Sequence, residues 1–192
     1  MQASQITSWG VGAVIEIISL VTGVKVNQIQ NKLGESTPIV RAMPNTAIAI
    51  RESMTCIATS SKWKERIPEV KEIFEQVGET VIINEEQMTS ATALCACGIA
   101  FFLRAIRAAS QGGTEIDFHS GEALKMAAQT AKGASALLLE NNSHPEDEID
   151  KVTSPKGCTI AGLNEMEHSG FSSSFIKGII TSAEKAKGLY CE

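Results

Sequence analysis

Residues Asp150 to Ile160 hold the chain's clearest chemical potential. Thr153, Ser154, Pro155, Lys156 and Gly157 make a run of small, polar and turn-forming residues that leads into a helical pattern. The first amides of a helix have no partners inside it and point outward, so such a start can seat a carboxylate. Thr159 falls in the first turn and can set a hydroxyl beside that anion. The same residues also read as an ordinary Ser/Thr-capped helix start with no ligand. Two other stretches stand at the carboxyl ends of apolar runs, where open α/β sheets bind ligands. One is Ser19 to Val24, a strand end that enters a turn at Thr22-Gly23; the other is Arg41 to Thr46, broken by Pro44-Asn45. Pro44 removes a donor, and Asn45 can hydrogen-bond an amide or a phosphate. A plain βα turn and a plain Pro-Asn turn account for the same letters.

Other chemistries find little support. His119, His144 and His168 lie far apart with no acid or Cys at ligand spacing, so surface roles are expected and no metal site. Five cysteines (Cys56, Cys95, Cys97, Cys158, Cys191) form no regular framework, which suggests a reducing compartment. Cys95 and Cys97 are too close for an easy mutual bridge and make a poor zinc pair, so small buried packing residues are expected. A net charge of −5 without a Lys/Arg block argues against a nucleic-acid role. Ile6 to Val24 is apolar, but it lacks a basic leader and carries Glu16 mid-span, so a core segment of a cytoplasmic protein is expected rather than a membrane span.

The elements that position these residues follow from periodicity. β-rich runs at 14–21, 38–43, 54–58 and 81–83 read as strands, and 25–33 and 64–77 read as helices. That βαββαβ order predicts an open α/β sheet over residues 1–88. Residues 89–192 carry no convincing strand. Helices are expected at 92–110, stopped by Gly112-Gly113, then from a Ser120 cap to 140, from His144-Pro145, at 157–167 and at 173–187. The helices at 92–110 and 121–140 are apolar around much of their circumference and must be buried on most sides, which points to a second copy of the chain.

Taken together, Met43-Pro44-Asn45-Thr46, the run from Ala91 to Gly98, Ala128-Gln129-Thr130 and the run from Val152 to Leu163 resemble the pyrroline-5-carboxylate reductase family. The resemblance extends from about residue 17 to the end. It implies a partial Rossmann-type sheet plus a helical dimerisation domain, with homodimers intertwined through the C-terminal helices and often assembled into decamers. The activity implied is reduction of 1-pyrroline-5-carboxylate to L-proline with NADPH or NADH. Carried over, Thr22, Gly23, Pro44 and Asn45 border the pyrophosphate and nicotinamide of the cofactor. The amides of Gly157, Cys158 and Thr159, with Val152 nearby, hold the substrate carboxylate. Thr159 supplies the catalytic hydroxyl, bonded to the ring nitrogen.

Two departures stand out. The family's turn usually has two glycines where this chain has Lys156-Gly157, and its glycine-rich dinucleotide loop has no match in residues 1–16, where Trp9-Gly10-Val11-Gly12-Ala13 lacks the third position. An N-terminally shortened chain is therefore expected. It is either part of a working reductase or a catalytically silent dimerisation module.

Overall fold

A computed structural model describes residues 16–188. The expected strand positions Val14 and Ile15, the Trp9–Ala13 stretch and Cys191 lie outside the described residues. The chain divides into two compact units. One runs up to Cys97 and includes the stretch from Thr181 onward; the other is Gly98–Ile180.

The first unit is a four-stranded sheet in the order β1 (Ile17–Ser19), β2 (Ile39–Met43), β3 (Ser53–Thr59), β4 (Gly78–Ile82). β1 and β2 are parallel, β2 and β3 antiparallel, and β3 and β4 parallel. Helix α1 (Val26–Leu33) joins β1 to β2, and α2 (Ile67–Glu75) joins β3 to β4. The expected single helix over 64–77 is split: residues 61–66 form a 3-10 turn, and Pro68, with no amide to donate, marks the true start of α2. All five residues of β2 are buried, so both faces of the sheet are covered. Val40, Ala42 and Ile57 pack with Ile67, Val70 and Phe74 of α2 on one face. Met43, Cys56 and Ala58 alternate to the other face and pack against Met88 and Ala91 of α3 (Met88–Ala91).

Beyond α3 the expected α-helical start is replaced by a π-helical stretch, Thr92–Cys97. Thr92 donates its hydroxyl to the carbonyl of Met88 at 2.9 Å, the kind of back-bond that disturbs a helical ladder and marks where the wider turns begin.

The second unit contains α4 (Gly98–Glu115), most of α5 onward being helical too: α5 (Ser120–Asn141), α6 (Pro145–Lys151), α7 (Cys158–His168) and the start of α8 (Phe171–Lys187). Gly112 and Gly113 do not stop α4, as the sequence predicts; they lie inside it. A methyl group at Gly113 would sit 3.0 Å from the Ala123 side chain, so the glycine lets α4 and α5 approach closely. The helix ends instead before Asp117, whose φ of 79° is left-handed. His119, not Ser120, holds the N-cap position of α5. Phe175 stacks obliquely on Phe102 at 5.4 Å and meets Phe101 edge-on, linking α8 to α4. One helical stretch among the described residues, 85–115, is long and apolar enough to cross a membrane. In this fold its Gly113 side lies on α5.

One charge sits inside the sheet. Arg41, in the middle of β2, is 4% exposed, and its guanidinium meets the Glu85 carboxylate at 3.3 Å. The same carboxylate oxygen accepts the Val26 amide at 2.6 Å, the first amide of α1. Removing Glu85 leaves a buried cation and an orphaned helix amide. Glu85→Ala is expected to lower unfolding stability by about 3 kcal/mol or more. Urea denaturation followed by circular dichroism checks this; a loss within 0.5 kcal/mol or so, the range of ordinary surface changes, contradicts it.

Candidate functional site

In the sheet unit, parallel pairing brings the carboxyl ends of β1 and β2 side by side, with Ser19 opposite Arg41. The turns that follow therefore share one edge of the sheet. Gly23 takes φ 82°, a left-handed conformation that a side chain would strain. Thr22 donates its hydroxyl to the Met43 sulfur at 3.9 Å, which ties the first turn to the end of β2. Pro44 and Asn45 follow, both half-buried.

Asn45 is engaged more fully than the sequence suggests. Its amide donates to Ser53 Oγ at 3.1 Å, its Oδ1 accepts the Ala47 amide at 3.0 Å, and its Nδ2 donates to the Cys95 carbonyl at 3.4 Å. It caps the 3-10 turn at Thr46–Ile50 and pins β2, β3 and the π-helical stretch together. One lone pair and one amide hydrogen remain on its side chain. The first amide of α1 is no anion site, because Glu85 already holds it. What this edge offers a dinucleotide is a glycine turn, a proline-lined strand end and a rigidly held asparagine. That fits contact along a cofactor better than capture of a phosphate by a helix end.

The helical unit holds the second group. α6 closes at Val152, whose side chain is 66% exposed, and Thr153 donates its hydroxyl to the Ile149 carbonyl at 2.8 Å. Lys156 takes φ 60°, left-handed and unfavourable for a side chain. Gly157 is the N-cap of α7. A methyl group there would lie 2.5 Å from Ser154 Oγ and 2.9 Å from the Ser154 carbonyl, so the turn has no room for one.

The expected role of the Gly157 amide is corrected here. That amide donates to the Ser154 carbonyl at 2.9 Å, because the turn that starts α7 needs this bond to close. The amides of Cys158, Thr159 and Ile160 take no acceptor among the described residues and open the helix. Thr159 is half-buried and its hydroxyl has no partner there. Cys158 is exposed at this helix start, while Cys95 and Cys97, expected to be buried packing residues, are only half-buried.

Sequence reasoning missed two features of the sheet unit. The Arg41–Glu85 pair was signalled by a lone arginine between Ile39-Val40 and Ala42-Met43, since a charge in a fully apolar strand must find a partner. The other is the approach of Cys56 Sγ to Cys95 Sγ at 3.7 Å, which no spacing along the chain could reveal. His144 does act structurally: its Nδ1 accepts the Glu146 amide at the start of α6.

Comparison with known proteins decides the family. The family of pyrroline-5-carboxylate reductase dimerisation domains matches residues 85–189, more than half of the chain. The chain belongs to the pyrroline-5-carboxylate reductase family. It is 58% identical over 188 residues to pyrroline-5-carboxylate reductase 1 of Dictyostelium discoideum, covering 92% of this chain and 34% of that protein. Pyrroline-5-carboxylate reductase 2 of the same organism is 52% identical over 185 residues, covering 88% of this chain and 62% of that protein. The chain thus spans less than two thirds of these relatives. The solved structure of a pyrroline-5-carboxylate reductase from Coxiella burnetii superposes with a TM-score of 0.88 at 27% identity, over 96% of this chain and 69% of that one. A Rossmann-type sheet followed by a helical dimerisation domain, as the sequence predicts, is the fold of this family.

The turn before α7 makes a direct prediction. Lys156→Gly relieves the left-handed strain and is expected to stabilise the protein by up to about 1 kcal/mol. Gly157→Ala forces a clash with Ser154 and is expected to cost about 1–3 kcal/mol. Chemical denaturation midpoints of both variants test the pair; equal midpoints for the two would contradict it.

Proposed function

We propose that this chain serves a NAD(P)H-dependent reduction of 1-pyrroline-5-carboxylate to L-proline and works as a homodimer. The observation that carries this reading is the open start of α7, where the Cys158 and Thr159 amides and the Thr159 hydroxyl have no partners among the described residues. The positive end of the helix dipole and those amides suit the substrate's carboxylate. Val152 borders the same turn and gives the ring an apolar neighbour. Gly157 contributes shape, since only a residue without a side chain lets the turn close.

Thr159 accepts or donates a hydrogen bond at the ring nitrogen. A protonated imine is already electrophilic at carbon, so the protein's task is alignment and charge placement rather than strong general-base catalysis. Thr22, Gly23, Pro44 and Asn45 line the edge offered to the dinucleotide, with Asn45 kept rigid by its three bonds. The nicotinamide, when bound, supplies the hydride for the imine carbon. Two unbridged thiols at contact distance accord with a cytoplasmic, reducing setting.

The dimer rests on exposed apolar surface. α5 buries only Ala123 within the chain, while Leu139 stands 78% exposed and Leu137 and Met126 nearly half exposed. A groove of about 660 Å³ between α4 and α5 is lined by Phe102, Ala105, Ala109, Ala127 and Ala131. Its small residues allow a helix of a second copy to come close. Such a surface does not stay in water.

Full-length protein assayed with 1-pyrroline-5-carboxylate and NADPH tests the reading. Thr159→Ala is expected to lower kcat about tenfold to a hundredfold, as loss of a hydrogen bond to a charged group does, and Thr159→Ser is expected to restore most of it. Unchanged turnover in Thr159→Ala removes the hydroxyl from the mechanism, and absence of saturable NADPH binding by the wild type leaves a silent dimerisation module. Ala127→Glu is expected to shift the protein to monomer in light-scattering chromatography; an unaltered mass rules out this groove as the interface.

A further inference from the structure

We propose that Cys56 and Cys95 form a dithiol that hydroperoxides oxidise to a disulfide, a modification site distinct from the reductase chemistry. Their Sγ atoms are 3.7 Å apart, one on β3 and one in the π-helical stretch, so the sulfurs need to close by less than about 2 Å to reach the length of a bond. They stand 39 positions apart in sequence, and both belong to the sheet unit.

The two thiols are not equivalent. Cys56 is 2% exposed, walled in by the core that includes Met43 and Met88. Cys95 is only half-buried. Either thiol can donate the hydrogen bond between them; with Cys56 as donor it favours a thiolate on the more exposed Cys95, lowering Cys95 to about 7 against a smaller opposing effect of burial. The same bond, together with burial, raises Cys56. Cys95 is therefore the attacking sulfur and Cys56 the resolving one.

The chemistry balances in two steps. The Cys95 thiolate attacks one peroxide oxygen, the O–O bond breaks, and hydroxide (or alkoxide) leaves as Cys95 becomes a sulfenic acid. The Cys56 sulfur then attacks the Cys95 sulfur; the S–S bond forms, the S–O bond breaks, and the departing hydroxide is neutralised by the Cys56 proton. Two thiols lose two electrons, and hydrogen peroxide ends as two waters. The bridge fastens the π-helical stretch to β3 at the residue whose carbonyl holds Asn45.

The test is a peptide map of the full chain, reduced, treated with stoichiometric hydrogen peroxide and digested without reductant. The expected result is a peptide pair joined through Cys56 and Cys95, two hydrogens lighter than the reduced pair and released by dithiothreitol. Cys56→Ser is expected to abolish that pair and leave a dimedone-reactive sulfenic acid on Cys95. Three results overturn the proposal: Cys95 bridged to Cys97 or to another chain, Cys95 driven to sulfinic acid with Cys56 still free, or both thiols still alkylatable after Cys97 and Cys158 have oxidised. The wild-type map stands without the variant, so a poorly folding Cys56→Ser does not blunt it.

Discussion

A guanidinium buried in the middle of a β-strand sets the terms for the α/β unit. Arg41 cannot stay charged inside the sheet unless a carboxylate reaches it, and Glu85 does so. Because that same carboxylate also holds the first amide of α1, one residue settles three things at once. It sets the start of the helix after the Thr22-Gly23 turn, the path of the chain after β4, and the approach of the segment that carries Cys95. The hub has a further consequence. An acid seated at the amino end of α1 makes that end unsuited to a phosphate, so the offered edge is made of strand ends and a glycine turn instead.

In the helical unit the governing constraint is the turn from Ser154 to Gly157. Its closing bond uses up the Gly157 amide and aims the next ones outward. Lys156 pays a conformational cost in the left-handed region that glycine avoids, which gives a physical reason for the paired glycines usual in the family. The lysine is tolerated because a single strained residue costs far less than losing the helix start.

The apolar helices show what a lone chain leaves unfinished. α4 and α5 reach close contact through Gly113 and Ala123, yet most of α5 keeps its apolar residues in water. Their periodicity predicts a partner, and the family's dimerisation domain is matched over this same region. Packing inside the chain draws here on the same surface of small residues that the proposed dimer would use.

Local pattern alone was enough to predict an α/β sheet followed by helices and to single out the turns at Gly23, Pro44 and Gly157. Each of those depends on neighbours within a few residues: alternation, glycine's φ, proline's missing amide. Local pattern failed at Gly112-Gly113, read as a stop, because a neighbouring helix 10 positions away supplied the packing that keeps α4 intact. It failed at Thr92–Cys97, where tertiary context shapes the wider turns, and at the start of α2, which Pro68 fixes. The Arg41–Glu85 pair, the bond from Asn45 to Cys95 and the meeting of Cys56 with Cys95 were decided only by the folded sheet. Such contacts join residues tens of positions apart, and the closure of the chain between them is governed by the packing of whole elements rather than by any letter near either end.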